Sequence, residues 1–169
     1  MDIVDQIKKT GMPPGLMEAA LQERVPEAFA ERLEKTKGFV ATNNDITVFL
    51  IVGNDSPAKD QFCAALMKWL MVTRNKTGRW LMMSKTIDEE LGNAGITCIP
   101  AFDLLPPINL KQVVSIIREK LSLGRYFIIC ATSKESVIKA FGEEFASFVS
   151  HIAVSVKVDV EKQDITVIE

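Results

Sequence analysis

Val48-Phe49-Leu50-Ile51-Val52-Gly53-Asn54-Asp55-Ser56-Pro57-Ala58-Lys59-Asp60 decides how this chain is read. An apolar run of strand length ends at Gly53, a polar loop follows, and Lys59 opens the apolar stretch Gln61-Phe62-Cys63-Ala64-Ala65-Leu66-Met67-Lys68-Trp69-Leu70. Strand, glycine-led loop and helix headed by a lysine is the layout of a phosphate-binding loop. In its full form, G-x-x-x-x-G-K-[ST], backbone N–H groups cradle the phosphates, the lysine pairs with the terminal phosphates and the hydroxyl holds Mg²⁺. Gly53 and Lys59 are in register with that form, whereas Ala58 stands at the second glycine and Asp60 at the hydroxyl.

Each departure has a physical consequence. Ala58 adds a Cβ beside the phosphates, and Pro57 removes one N–H donor and fixes φ near −65°. Asp60 sets a carboxylate where a nucleotide brings its negative charge, which repels phosphate unless a metal lies between them. A carboxylate can ligate Mg²⁺, so a narrow route to binding stays open. The candidate nucleotide-binding residues are therefore Gly53, Asn54, Asp55, Ser56, Ala58, Lys59 and Asp60. The competing reading is a structural loop that kept its shape without its ligand, with Lys59 paired to Asp103.

A length of 169 residues suits one domain, and 47% hydrophobic residues suffice for a full core. A net charge of −2 gives no bulk signal for nucleic acid. A local basic cluster, Arg74, Lys76, Arg79 and Lys85, is the candidate contact for nucleic acid or an acidic partner, against the plainer reading of a solvated loop. Cys63, Cys98 and Cys130 each lie in an apolar run and read as buried thiols in a reducing compartment. With no C-x-x-C and one histidine, His151, no metal centre built on them is expected. The start of the chain lacks a cationic leader, and no stretch reaches membrane-spanning length, so no membrane partner and a cytoplasmic location are expected.

Around the central strand, residues 2–10 predict a short helix stopped by Gly11 and the Pro13-Pro14 pair, and 26–40 a second helix. Residues 47–52 predict a strand covered on both faces. A helix over 59–72 leads to a polar loop, a strand over 79–83, a short helix over 86–91 and a strand over 96–102 ending at Asp103. The stripe Leu110, Val113, Val114, Ile117 and Leu121 predicts a helix. Then follow a strand over 125–132, a helix over 134–141 capped by Thr132 or Ser133, a helix over 143–149, and tail strands over 152–158 and 164–168. Alternating strands and helices imply an α/β fold: a three-layer α/β/α sandwich on a mainly parallel, five-stranded sheet, closed by a C-terminal hairpin. The expected layout is one domain over 1–169, with a helical entry segment over 1–45, a core over 46–158 and a final strand over 159–169.

Taken together, the pieces resemble the AAA+ P-loop ATPase core of the DnaC- and IstB-like helicase-loader branch, over most of residues 8–158. Lys8-Lys9-Thr10-Gly11-Met12-Pro13-Pro14 resembles the family's entry segment, and Gly53 to Asp60 sits at its Walker A loop. Ile99-Pro100-Ala101-Phe102-Asp103-Leu104 is similar to its Walker B strand, which makes Asp103 the candidate metal ligand. Phe127-Ile128-Ile129-Cys130-Ala131-Thr132-Ser133-Lys134 is similar to its sensor strand, and residues 142–149 to the stretch that carries its arginines.

The polar positions of that pattern are the ones that differ. Phe102 replaces one Walker B acid, Lys134 the sensor asparagine, and Glu144 and Phe148 the two arginines. A glutamate opposes the charge stabilisation that an arginine supplies to phosphoryl transfer. The resemblance, with these losses, implies a pseudo-ATPase with no catalytic residues and no cofactor. It would act as an interaction module in DNA replication or helicase loading, with a replicative helicase, a loader or another AAA+ ATPase as partner. Nucleic-acid contact and self-association are left open. The alternative is a P-loop protein that binds ATP or ADP with Mg²⁺ through an unorthodox site and hydrolyses slowly.

Overall fold

The computed structural model describes residues 2–81, 93–142 and 151–158. Three helices come first. Helix α1, Ile3–Lys9, is capped by Asp2, whose carboxylate accepts from Val4 N–H, and closes at Thr10 and Gly11, the glycine at φ +83°. Helix α2, Pro14–Leu21, starts with proline at its first position, where the missing N–H costs nothing. The Pro13-Pro14 pair therefore opens a helix as well as ending the one before it, a correction to the expected stop. Helix α3, Glu27–Thr42, buries Phe29, Leu33, Thr36 and Val40 at helical spacing.

The central strand β1, Val48–Val52, leads through the loop into helix α4, Pro57–Arg74. This helix starts two residues earlier than expected because Ser56, not the loop end, is its cap. Strand β2, Gly78–Trp80, starts one residue before the expected 79–83, whose residues 82 and 83 lie outside the described residues. Strand β3, Ile96–Ile99, also stops early, and a 3₁₀ turn over Phe102–Leu104 carries Asp103 off the sheet. Helix α5, Pro107–Leu121, begins nearly a turn before Leu110, again with proline in its first turn. Strand β4, Tyr126–Ala131, helix α6, Lys134–Phe141, capped by Ser133, and strand β5, His151–Ser155, complete the described chain. The expected helices over 86–91 and 143–149, the strand over 164–168 and its hairpin, and Lys85 lie outside the described residues.

The strands form one parallel sheet in the order β2-β3-β4-β1-β5. With β1 near the middle, alternate side chains enter two cores, which is why the run reads as continuously apolar. Phe49 and Ile51 pack with α1 to α4, beside Phe62, Leu66 and Leu70. Val48 and Leu50 face the other way, onto Val113 and Ile117 of α5 and Val137 and Phe141 of α6. The three-layer α/β/α sandwich and five-stranded sheet are those of a P-loop NTPase-like fold. The loop after β1 lies at the carboxyl end of the sheet, where ligands of open α/β sheets bind.

Candidate functional site: the loop after the central strand

Gly53 leaves β1 with its N–H still donating to Ala131 O of β4, at 3.0 Å. A Cβ at this position would stand 1.9 Å from Val156 O, so only glycine lets the backbone beyond β5 pass this close. Ser56 Oγ accepts from Lys59 N–H at 3.3 Å, which satisfies one of the free donors at the helix start, and Pro57 needs no partner there. Ala58 is buried against the core.

Lys59 is only 3% exposed. A buried ammonium needs partners, and Lys59 Nζ donates to Gly53 O at 3.2 Å, with the exposed Asp55 carboxylate 4.0 Å away. The expected ion pair with Asp103 is not formed. Asp103 accepts instead from the N–H of Thr132, at 2.8 Å, and from its hydroxyl, so the residue that follows β4 holds it. The reason is positional: β3 ends at Ile99 and the 3₁₀ turn swings Asp103 toward β4.

Asp60 is half-buried on the first turn of α4. Burial raises its carboxyl from the ordinary 3.8 to about 6, helped by negative charge at Cys130 and Asp55 and opposed by Lys59. At the place where the full motif has a hydroxyl for Mg²⁺, this chain holds an acid whose proton is bound more tightly than usual.

Residues beyond β5 complete the site, an arrangement that strand periodicity does not reveal. Val156 N–H donates to Val52 O at 2.7 Å, extending the pairing past the end of the strand. Asn54 then grips Val158 at both backbone groups: its Nδ2 donates to Val158 O at 2.6 Å and its Oδ1 accepts from Val158 N–H at 2.8 Å. A side-chain amide mimicking a strand in this way joins the loop to residues 156–158. An asparagine after the first glycine is the sole sequence signal for this strap, and it equally suits a turn.

The basic residues lie elsewhere. Arg74 ends α4, at the opposite end of the sheet from Lys59, and donates to Val40 O and Asn44 Oδ1. Lys76 sits 5.6 Å from the centre of the Tyr126 ring, and Arg79 is in β2 beside Gly11. Their distance from the loop follows from helix length, since the fifteen steps from Lys59 to Arg74 span about 22 Å at about 1.5 Å each.

The three cysteines converge, although they are far apart in sequence. Cys98 of β3 pairs with Ile128 of β4, so Cys130, two residues further on, points to the same face, and Cys63 of α4 lies over them. All three are fully buried, as expected, and Cys63 Sγ lies 3.0 Å from Cys130 Sγ. Burial pushes the Cys63 and Cys98 thiols up, while hydrogen bonds from both draw Cys130 down.

No protein-family model and no curated protein matches this sequence. Solved structures do match the fold. A chain in the structure of Drosophila ORC bound to poly(dA/dT) DNA and Cdc6 superposes with a TM-score of 0.53 at 11% identity. It covers 90% of this chain, which spans only 31% of that one. A candidate primosome component from Streptococcus pyogenes serotype M3 superposes with a TM-score of 0.58 at 10% identity, covering 88% of this chain and 94% of its own. At such identities the likeness is one of fold: this chain has the α/β architecture of P-loop NTPase-like proteins.

Proposed function

We infer that this protein is a catalytically degenerate member of the AAA+ fold that works as an interaction or regulatory module in DNA replication or helicase loading. One observation carries the inference: the loop's polar groups are spent on the chain itself. Lys59 Nζ donates to the loop carbonyl of Gly53, and both polar atoms of the Asn54 side chain bond to Val158. To take a phosphate, Lys59 would have to leave a site where it is 3% exposed. The Asp60 carboxylate adds repulsion once ionised. The polar replacements at Phe102, Lys134, Glu144 and Phe148 support the same reading. So do the replication contexts named for the ORC assembly and the primosome component that share the fold.

The surface offers a place for a protein partner. Leu104 and Ile108 are 67% and 78% exposed. Their chain neighbours Asp103 and Pro107 line a cleft of about 430 Å³ with Leu110, Lys111, Ser136, Lys139 and Ala140. Adjacent exposed apolar side chains beside a cleft are a common mark of a protein interface. The test is co-elution of the purified chain with the replicative helicase and the helicase loader of the organism that encodes it, without added nucleotide. A complex that Leu104→Asp with Ile108→Asp abolishes, while the fold stays intact, is the expected result. No association with either protein would overturn the interaction role in helicase loading.

A further inference from the structure

We propose that Cys63, Cys98 and Cys130 form a three-sulfur site for a soft, thiophilic monovalent ion of the cuprous class, set in the core directly behind the loop. The three Sγ atoms lie within 4.8 Å of one another. A metal at roughly 2.3 Å from each of three coplanar sulfurs would place them about 4 Å apart; Cys63 and Cys130, now 3.0 Å apart, would separate by side-chain rotation. The donors come from three separate, well-packed elements, α4, β3 and β4, and each has zero exposure. Rigid elements hold ligands at fixed separations better than loops do.

The donor set selects the ion. Sulfur ligands favour soft ions such as Cu(I) and zinc. Zinc in structural sites is almost always four-coordinate. Among the described residues no other histidine, cysteine or acid joins the group. Three sulfurs without a fourth donor suit the lower coordination number of Cu(I).

Charge points the same way. Coordination by two thiolates and one thiol leaves one net negative charge at the site, every proton displaced passing to solvent. Lys59 stands one helical turn before Cys63, and its charge acts on Cys130. It is the one buried charged side chain among the described residues, and it offsets that charge, while the less buried Asp55 and Asp60 carboxylates act on the same thiols in the opposite sense. Because all three sulfurs are buried, the ion enters during local opening of α4 from the sheet. Once bound, it ties the helix that bears Lys59 to the two strands beneath it.

The test is an anaerobic titration of the reduced full chain with Cu(I), in competition with the chromophoric chelator bathocuproine disulfonate, with Zn²⁺ titrated in parallel. One equivalent of Cu(I) withheld from the chelator and a raised thermal midpoint are expected. Cys98→Ala and Cys63→Ala should each lower the affinity at least tenfold. Should those variants fold poorly, X-ray absorption at the copper edge of the loaded wild-type chain decides: a shell of three sulfurs supports the site. A nitrogen or oxygen shell, no withheld equivalent, or retention of Zn²⁺ in preference to Cu(I) would overturn it.

Discussion

At Gly53, a single hydrogen atom in place of a methyl group decides whether the chain can close. A Cβ there meets Val156 O at 1.9 Å, and the obstacle is backbone that no rotamer change can move aside. Gly53→Ala is expected to destabilise the fold by about 1–3 kcal/mol, measured by urea unfolding. Asp60 gives the opposite sign at neutral pH. Its folded carboxyl titrates at about 6 against an ordinary 3.8, so the native state holds a proton that the unfolded chain releases. Stability contributed by this group therefore falls as pH rises from about 4 to about 6 and stays lost above that window. Asp60→Asn should gain about 1–2 kcal/mol at pH 7, after allowance for partial exposure, and nothing near pH 3.5. A variant with equal gain at both pH values would show that ionisation of Asp60 is not the cause.

At the scale of elements, the strap over residues 156–158 is held to the loop by side-chain amide bonds. Asn54→Ala removes both and leaves the backbone groups of Val158 without that partner. The expected cost is about 1–2 kcal/mol, with faster hydrogen exchange at the N–H of Val158 and little change at Leu50. Unchanged exchange at Val158 would mean that the pairing of Val156 with Val52 alone holds the strap.

The same scale shows what the chain's sequence made legible. The apolar run over Val48–Val52 and the stripe from Leu110 to Leu121 declare their structure, because burial on two faces or on one leaves a distinct period. Helix α2 is not legible because Pro13-Pro14 signals both the stop of one helix and the start of another. The end of β3 is hard to read for a related reason: apolar residues continue past the last strand pairing, as Phe102 does when it enters the core from a 3₁₀ turn. Asp103 sits in a 3₁₀ turn rather than at a strand end, and its partner is not legible because pairing depends on that turn, which leaves no periodic trace. The meeting of Cys63, Cys98 and Cys130 depends on strand order and register, which no local pattern carries.

Across the whole molecule, a P-loop NTPase-like scaffold keeps its loop, its cap and its lysine while directing their polar groups inward. Fold likeness to solved structures at 10–11% identity fixes the architecture and leaves chemistry to the residues. Those residues include a loop whose lysine and asparagine bond to the chain itself, and the exposed apolar side chains of Leu104 and Ile108. The most direct test is titration calorimetry of the purified chain with ATP and with ADP in Mg²⁺, beside Lys59→Ala. No binding heat with either nucleotide, for the wild type or the variant, is the predicted result. Micromolar binding that Lys59→Ala abolishes would contradict it and make the loop a working nucleotide site.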